Sequence, residues 1–429
     1  MLTAKKTDKE RGQALIILAV ALLALIAFAG LAIDGGRFYA ERRQTQNAAD
    51  AVALAGAREL AEFISTCANA DTANDNRIAA AMVEMALYNG IDHFSPDGHV
   101  EAWYVNADTE PLSHVGWNQG IPAGATGIKA TLTFSDTTTF MRLLGRPHLV
   151  MSGEALAMVG PVVQMEQGVL PIAVPEIIVT EFQDKEEFTV FDDGLFCRPG
   201  KPESCVLPAK EKGITDTTQL SLNAFYGWLN LSHIYNNAYW NGGPLDRAFG
   251  KSLGSGGCRY KSNGTVDAAA TGLKGWLSKE CPYPYPMFAG TSDDKEGEKE
   301  GDFIYGLSGT RTSALIELAA NYNKGDILYW LIFDKTYTAK EMEKAFPGQA
   351  PAVGWLTAGG KTQGAYYHII GFTAVELVAV DTKGNDKSIT GIFQNVVIGE
   401  GLIDPGAGMN SHGQGTCRFP MLIGVKLWE

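Results

Sequence analysis

Residues Ala14–Ile33 read ALIILAVALLALIAFAGLAI, 20 residues with no charge and no proline. A helix of that length rises about 30 Å, the thickness of a bilayer's hydrocarbon core. Twelve of the 20 are Leu, Ile, Val or Phe. Together these contribute about −4 to −7 kcal/mol to membrane insertion. Lys5, Lys6, Lys9 and Arg11 precede the run, and Arg37, Arg42 and Arg43 follow it. The positive-inside rule assigns the N-terminus to the cytoplasm on the first group; the second group weakens that assignment. Two other readings compete. A cleaved signal peptide is compatible with the small-x-small triplet Ala27-Phe28-Ala29, but its apolar region is usually shorter than this one. A buried core helix seldom carries so long an uncharged run.

The stretch that follows, DGGRFYAERRQTQNAADAVALAGARELAEF, contains no proline and is rich in Ala, Leu, Arg, Glu and Gln after Gly36. These are strong helix formers. The sequence therefore predicts one helix running from the membrane to about Phe63, with a bend at Gly35-Gly36. Some 50 residues of helix reach roughly 75 Å. Two faces of small residues occur at helical spacing: Ala48, Ala51 and Ala55, and Ala48, Val52 and Gly56. Small faces admit another backbone closely. That backbone can belong to the chain's own domain or to another subunit, and the pattern leaves both open.

The order of residues here resembles the N-terminal segment of the TadE/TadG-like family of the Tad (Flp-type) pilus-assembly machinery. The resemblance rests on Arg11-Gly12-Gln13-Ala14, the apolar span, Asp34-Gly35-Gly36-Arg37, Arg42-Arg43, Gln46-Asn47-Ala48-Ala49-Asp50-Ala51 and Ala53-Leu54-Ala55-Gly56-Ala57. It covers about an eighth of the chain. TadE-type pseudopilins carry Glu five residues after the processing Gly. Here that Gly is Gly12 and the fifth position is Ile17, so the resemblance is to the TadG side, an uncleaved anchored protein. Many TadG proteins add a von Willebrand A-type domain with an Asp-x-Ser-x-Ser metal motif, and the chain has no such motif.

Beyond the helix, the residues point to an α+β chain in three regions. Residues 1–63 hold the cytoplasmic stub, the transmembrane helix (14–33) and the Ala-rich helix. Residues 64–165 form a pilin-like helix-plus-antiparallel-sheet region, and residues 166–429 a β-rich module outside the cytoplasm. In the middle region Ile78, Met82 and Met85 mark one helical face, and Asn89-Gly90 stops it. GIKATLTFS at Gly127–Ser135 alternates as a half-buried strand does. His99–Val105 and His148–Val159 are further strands, with a short helix at Phe140–Gly145. In the last region, strands are expected at Val169–Val179, Asp326–Phe333, Ala365–Val380, Ser388–Ile398 and Met421–Trp428. A helix is expected at Thr310–Tyr322, and a mobile charged loop at Thr291–Asp302.

Composition narrows the function. The chain has 429 residues, 49 of them Gly, and 19% charged residues. Net charge is −13, while residues 1–60 carry +2, so the remainder carries −15. Such a surface repels nucleic acid. All six cysteines follow the span: Cys67, Cys197, Cys205, Cys258, Cys281 and Cys417. Short loops favour pairing Cys197 with Cys205 and Cys258 with Cys281, which suits an oxidising compartment. No Cys-x-x-Cys cluster suggests zinc.

Catalytic motifs are near-misses. Gly250-Lys251-Ser252-Leu253-Gly254 matches Gly-x-Ser-x-Gly but is followed by SGSGGC, a poor helix start. Gly243 lies two residues too far from Gly250-Lys251-Ser252 for a P-loop. Ser292-Asp293-Asp294-Lys295 puts its lysine in the acidic loop, where it stays protonated. Asp381–Asp386, DTKGND, is a calcium loop or, more simply, a strand-joining turn. No catalytic residue, metal or cofactor is expected.

The leading expectation is a non-enzymatic, membrane-anchored component of Tad/Flp-type pilus assembly or of the cell surface. Its partners are then the lipid bilayer and, through the N-terminal helix, other pilus-assembly or pilin subunits. The alternative is a minor pilin or anchored adhesin that binds a glycan or surface through the aromatics Phe225, Tyr226, Trp228, Tyr235, Tyr239 and Trp240. An anchored hydrolase ranks third.

Overall fold

The computed structural model describes residues 8–66, 68–181, 186–191, 196–198, 201–206, 228–235, 277, 282–289, 303–306, 312–338, 365–383, 387–399, 401–405 and 422–428. The architecture is α+β: a long N-terminal apolar helix, a few shorter helices and mixed sheets. The chain divides into two compact units. The first comprises residues 1–59, 70–158 and 427–429; the second comprises 60–69 and 159–426.

In the first unit, α1 (Asp8–Ser65) is a helix of 58 residues, unbroken through Gly35-Gly36. From Ile16 to Ile33 every residue is exposed except Gly30, so this apolar surface has no protein cover. Phe28 is 71% exposed and Leu23 is likewise 71% exposed. The helix is long and apolar enough there to cross a membrane. Past the span the pattern reverses. Thr45, Ala48, Ala49, Val52, Ala53 and Ala57 are buried.

The second helix, α2 (Thr72–Tyr88), starts where the Asp71 side chain accepts the Asn74 backbone N–H at 3.0 Å. Asn89 caps its end, and Gly90 follows at φ +83°, where Gly pays no Cβ penalty. Its face Ile78, Met82 and Ala86 is buried. Four antiparallel strands complete the unit in the order β2–β1–β3–β4: β1 (Gly98–Val105), β2 (Pro111–His114), β3 (Gly127–Thr137) and, as far as Met158, β4 (His148–Gln167). The expected strands at His99–Val105 and Gly127–Ser135 are present, and the expected short helix is a 3-10 turn at Met141–Leu144.

The expected end of β4 at Val159 is too early, because the strand runs on to Gln167. Gly160-Pro161 reads as a stop in sequence. In the structure a Cβ at Gly160 would lie 2.8 Å from the Asp404 carbonyl, so the glycine lets another backbone run close beside the strand.

The second unit is β-rich. Its larger sheet has the order β5–β12–β13–β14–β6–β7–β8. The members are β5 (Val169–Pro175), β6 (Glu187–Phe191), β7 (Phe196–Arg198), β8 (Lys201–Val206), β12 (Ile327–Thr338), β13 (Ala365–Asp381) and β14 (Ser388–Gln394). Strand β11 (Phe303–Gly306) joins β13 to β9 (Leu229–Tyr235). The β5–β12 pair is parallel and the others are antiparallel. Trp330, Leu331, Ile332 and Phe333 are all buried, so β12 is covered on both faces. Beside the end of β4 lie β10 (Pro282–Phe288) and β16 (Leu402–Ile403), while β15 (Val397–Ile398) runs parallel to β17 (Ile423–Leu427).

Two boundaries correct the expectations here, and one helix is found as expected. Val169–Val179 is a strand only to Pro175; Glu176–Glu181 forms α3, with Glu176 in its first turn where the helix dipole favours an acid. Ser388–Ile398 divides into β14 and β15. The expected helix Thr310–Tyr322 is α4 (Thr312–Asn321), which buries Ala314, Leu315 and Leu318.

Candidate functional site

The described side chains concentrate chemistry where α1 leaves the apolar run. The β3–β4 hairpin lies along α1 and meets it at successive stations. Near Gly56 a Cβ would lie 2.7 Å from Met82 Sδ and 3.3 Å from Ile128 Cγ2. At Gly153 a Cβ would lie 2.7 Å from the Thr45 carbonyl, so β4 touches the helix backbone itself. Gln46 Nε2 donates to the Glu154 carbonyl at 2.8 Å. Arg37 Nη2 pairs with Asp136 Oδ2 at 2.6 Å. The last station is Gly30, where a Cβ would lie 2.5 Å from Phe140 Cγ. Only glycine leaves room for that ring.

One turn on, Asp34 reaches across to the hairpin tip. Its carboxylate accepts the backbone N–H of Thr139 at 3.0 Å, of Phe140 at 2.8 Å and of Met141 at 2.7 Å. Two of these donors open the 3-10 turn, so a side chain from α1 serves as its cap. The Met141 N–H is the main cause that holds the Asp34 carboxyl below its ordinary range. Burial opposes the shift; the bonds from Thr139 and Phe140 and the charge of Arg37 add to it. A second buried carboxylate fixes α2 to the sheet. Asp75 Oδ1 accepts the Tyr104 hydroxyl at 3.0 Å and the Gly116 N–H at 2.7 Å. Burial, then the Asp75 charge, pushes the Tyr104 hydroxyl far up.

The small faces read from the sequence separate in the structure. Ala48, Val52 and Gly56 are buried, while Ala51 and Ala55 are half-buried along the rim of that face. Of the cysteines, Cys197 and Cys205 lie on β7 and β8, and the neighbouring residues Phe196 and Val206 are register partners. Cys67, Cys258, Cys281 and Cys417 lie outside the described residues, as do the near-miss motifs at 243–254 and 292–295, the charged loop and most of the aromatic cluster. Trp228 of that cluster is buried. Asp381 ends β13, and the DTKGND segment, of which 384–386 fall outside the description, joins it to its antiparallel neighbour β14.

Sequence reading quoted Asp34 and Arg37 and placed Phe140 at the start of a short helix but gave none of them a role, and it did not single out Gly30. An acid directly after an uncharged span is the one available signal. It also missed, in the second unit, a buried pair in which His368 Nδ1 lies 2.8 Å from Asp334 Oδ1. Among the described residues no group of three or more His, Cys, Asp or Glu could hold a metal.

The comparison with known families falls on α1. Residues 12–59 match the family model described as "Putative Flp pilus-assembly TadE/G-like". The TadE/G-like segment thus begins before the apolar run and contains Gly30, Asp34, Arg37 and the whole buried face Ala48–Ala57. The residues that receive it, Asp136 and Thr139–Met141, lie beyond the matched stretch. No curated protein matches the chain, and no solved structure does.

Proposed function

We propose that the chain is a non-enzymatic, membrane-anchored component of Tad/Flp-type pilus assembly, with its N-terminus in the cytoplasm and both units outside. The observation that carries this reading is the TadE/G-like match over residues 12–59, a stretch that is itself the apolar span plus the helix on which the first unit is built. The continuity of α1 supports a retained anchor over a cleaved signal: cleavage after Ala29 would cut the helix immediately before the Gly30 seat that holds Phe140. Lys5, Lys6, Lys9 and Arg11 support the orientation. Partners are the bilayer and other pilus-assembly or pilin subunits.

The deciding experiment is fractionation of cells into sheared surface filaments and membranes, with the chain located by mass spectrometry. Retention in the membrane is the expected result. Recovery in filaments would make it a minor pilin instead.

A further inference from the structure

We infer that the tip of the β3–β4 hairpin, residues 138–147, is a second membrane contact, seated on the lipid surface through which α1 passes. The inference rests on the reading of Ala14–Ile33 as a bilayer span. Its first support is position along the helix. The hairpin's stations on α1 run from Gly56 through Thr45 and Arg37 to Gly30. From Gly56 to Gly30 is a descent of about 39 Å at the helical rise. The last station falls three residues inside the apolar run, so Phe140 sits about 4.5 Å below its end. A loop pinned at that depth is in the headgroup region, not above it.

The second support is what the tip presents. Beyond Phe140 the chain turns through Met141–Leu144, and Leu143 stands 83% exposed. Arg142 and Arg146 flank it, both exposed, and neither forms an ion pair among the described residues. An apolar side chain between two free guanidinium groups is the composition of an interfacial anchor. The leucine enters the acyl boundary, and the arginines meet lipid phosphates at the level where long basic side chains reach the interface. The third support is that most of the tip's backbone N–H groups are already paired. Asp34 takes three of its N–H groups, Thr138 Oγ1 donates to the Arg146 carbonyl at 2.5 Å, and the Arg146 N–H bonds the Met141 carbonyl at 3.0 Å. A loop whose amides are paired loses little on leaving water.

The test uses the full chain in lipid nanodiscs, with a photo-crosslinking amino acid placed singly at Leu143, at Leu23 in the span, or at Trp117, an exposed residue beside the far end of β1–β2. Adducts are read by mass spectrometry. Lipid adducts at Leu23 and Leu143 but not at Trp117 are expected. Yield at Leu143 is expected to be at least about twofold higher with phosphatidylglycerol than with phosphatidylcholine alone, and the gain is expected to vanish in the double variant Arg142→Gln, Arg146→Gln. Lipid adducts at Leu23 with none at Leu143 would overturn the inference while leaving the anchor intact. No lipid adduct at Leu23 would overturn the anchor reading itself. Adducts from Leu143 to a second protein chain would also overturn the inference.

Discussion

Asp34 is the residue on which the junction between α1 and the tip of the β3–β4 hairpin turns. Its carboxyl is held below the ordinary value of 3.8 in the folded chain. The unfolded chain therefore takes up the proton first as pH falls. The carboxylate's contribution to stability is fully present above the unfolded value and shrinks as pH drops toward the folded one. Asp34→Asn should lower the melting temperature of the detergent-solubilised chain at neutral pH. The gap to wild type should narrow as pH falls below about 4. A gap that stays constant from neutral to acid pH would mean the ionised form does nothing special.

At the scale of elements, the contact between α1 and the sheet is set by backbone approach. Gly153→Ala places a methyl against the Thr45 carbonyl and Gln46 Cα, neither of which can move without bending the helix. The expected cost is about 1–3 kcal/mol, read from denaturant midpoints. Ala51→Leu and Ala55→Leu, on the half-buried rim, should leave stability within about 1 kcal/mol. If those variants lose crosslinks to other membrane proteins while keeping their midpoints, the rim is a partner surface. If both variants lower the midpoint as much as Gly153→Ala does, the rim packs internally.

Legibility at this scale followed the strength of local pattern. The alternation of Ile128, Ala130, Leu132 and Phe134 located β3, and Asn89-Gly90 located the end of α2. The strands β6, β7 and β8 escaped notice because they are only five, three and six residues long, too short for a period of two to stand out, although Phe188 and Val190 of β6 do alternate with Glu187 and Thr189. The clamp itself was invisible because Asp34 and Met141 are 107 residues apart, and only the fold brings them together. His368 and Asp334, 34 residues apart on paired strands, were hidden for the same reason.

For the molecule as a whole, protease added outside intact, wall-stripped cells should degrade everything beyond the span and spare the stub before it. A protected C-terminus would reverse the proposed orientation. Oxidation should follow the same partition. Antiparallel partners stand about 4.5–5.5 Å apart at Cα, inside the range of about 4.4–6.8 Å that a disulfide bridges. With Phe196 opposite Val206, the Cys197–Cys205 bridge is the expected product in peptide maps made without reductant. Free thiols at both positions in material from native cells would count against an oxidising location.

One consequence follows from the 58 unbroken residues of α1. On the proposed reading of Ala14–Ile33 as an anchor, a shaft about 87 Å long, gripped by its own hairpin at Gly30, Asp34, Arg37 and Thr45, joins the span to the first unit without a break in the helix. On that reading, whatever tilts or turns the span, whether a thinner bilayer or a pull on the N-terminal stub, is expected to turn the first unit with it. The tilt of the span would thereby be read out as an attitude of the first unit, carried by a continuous helix.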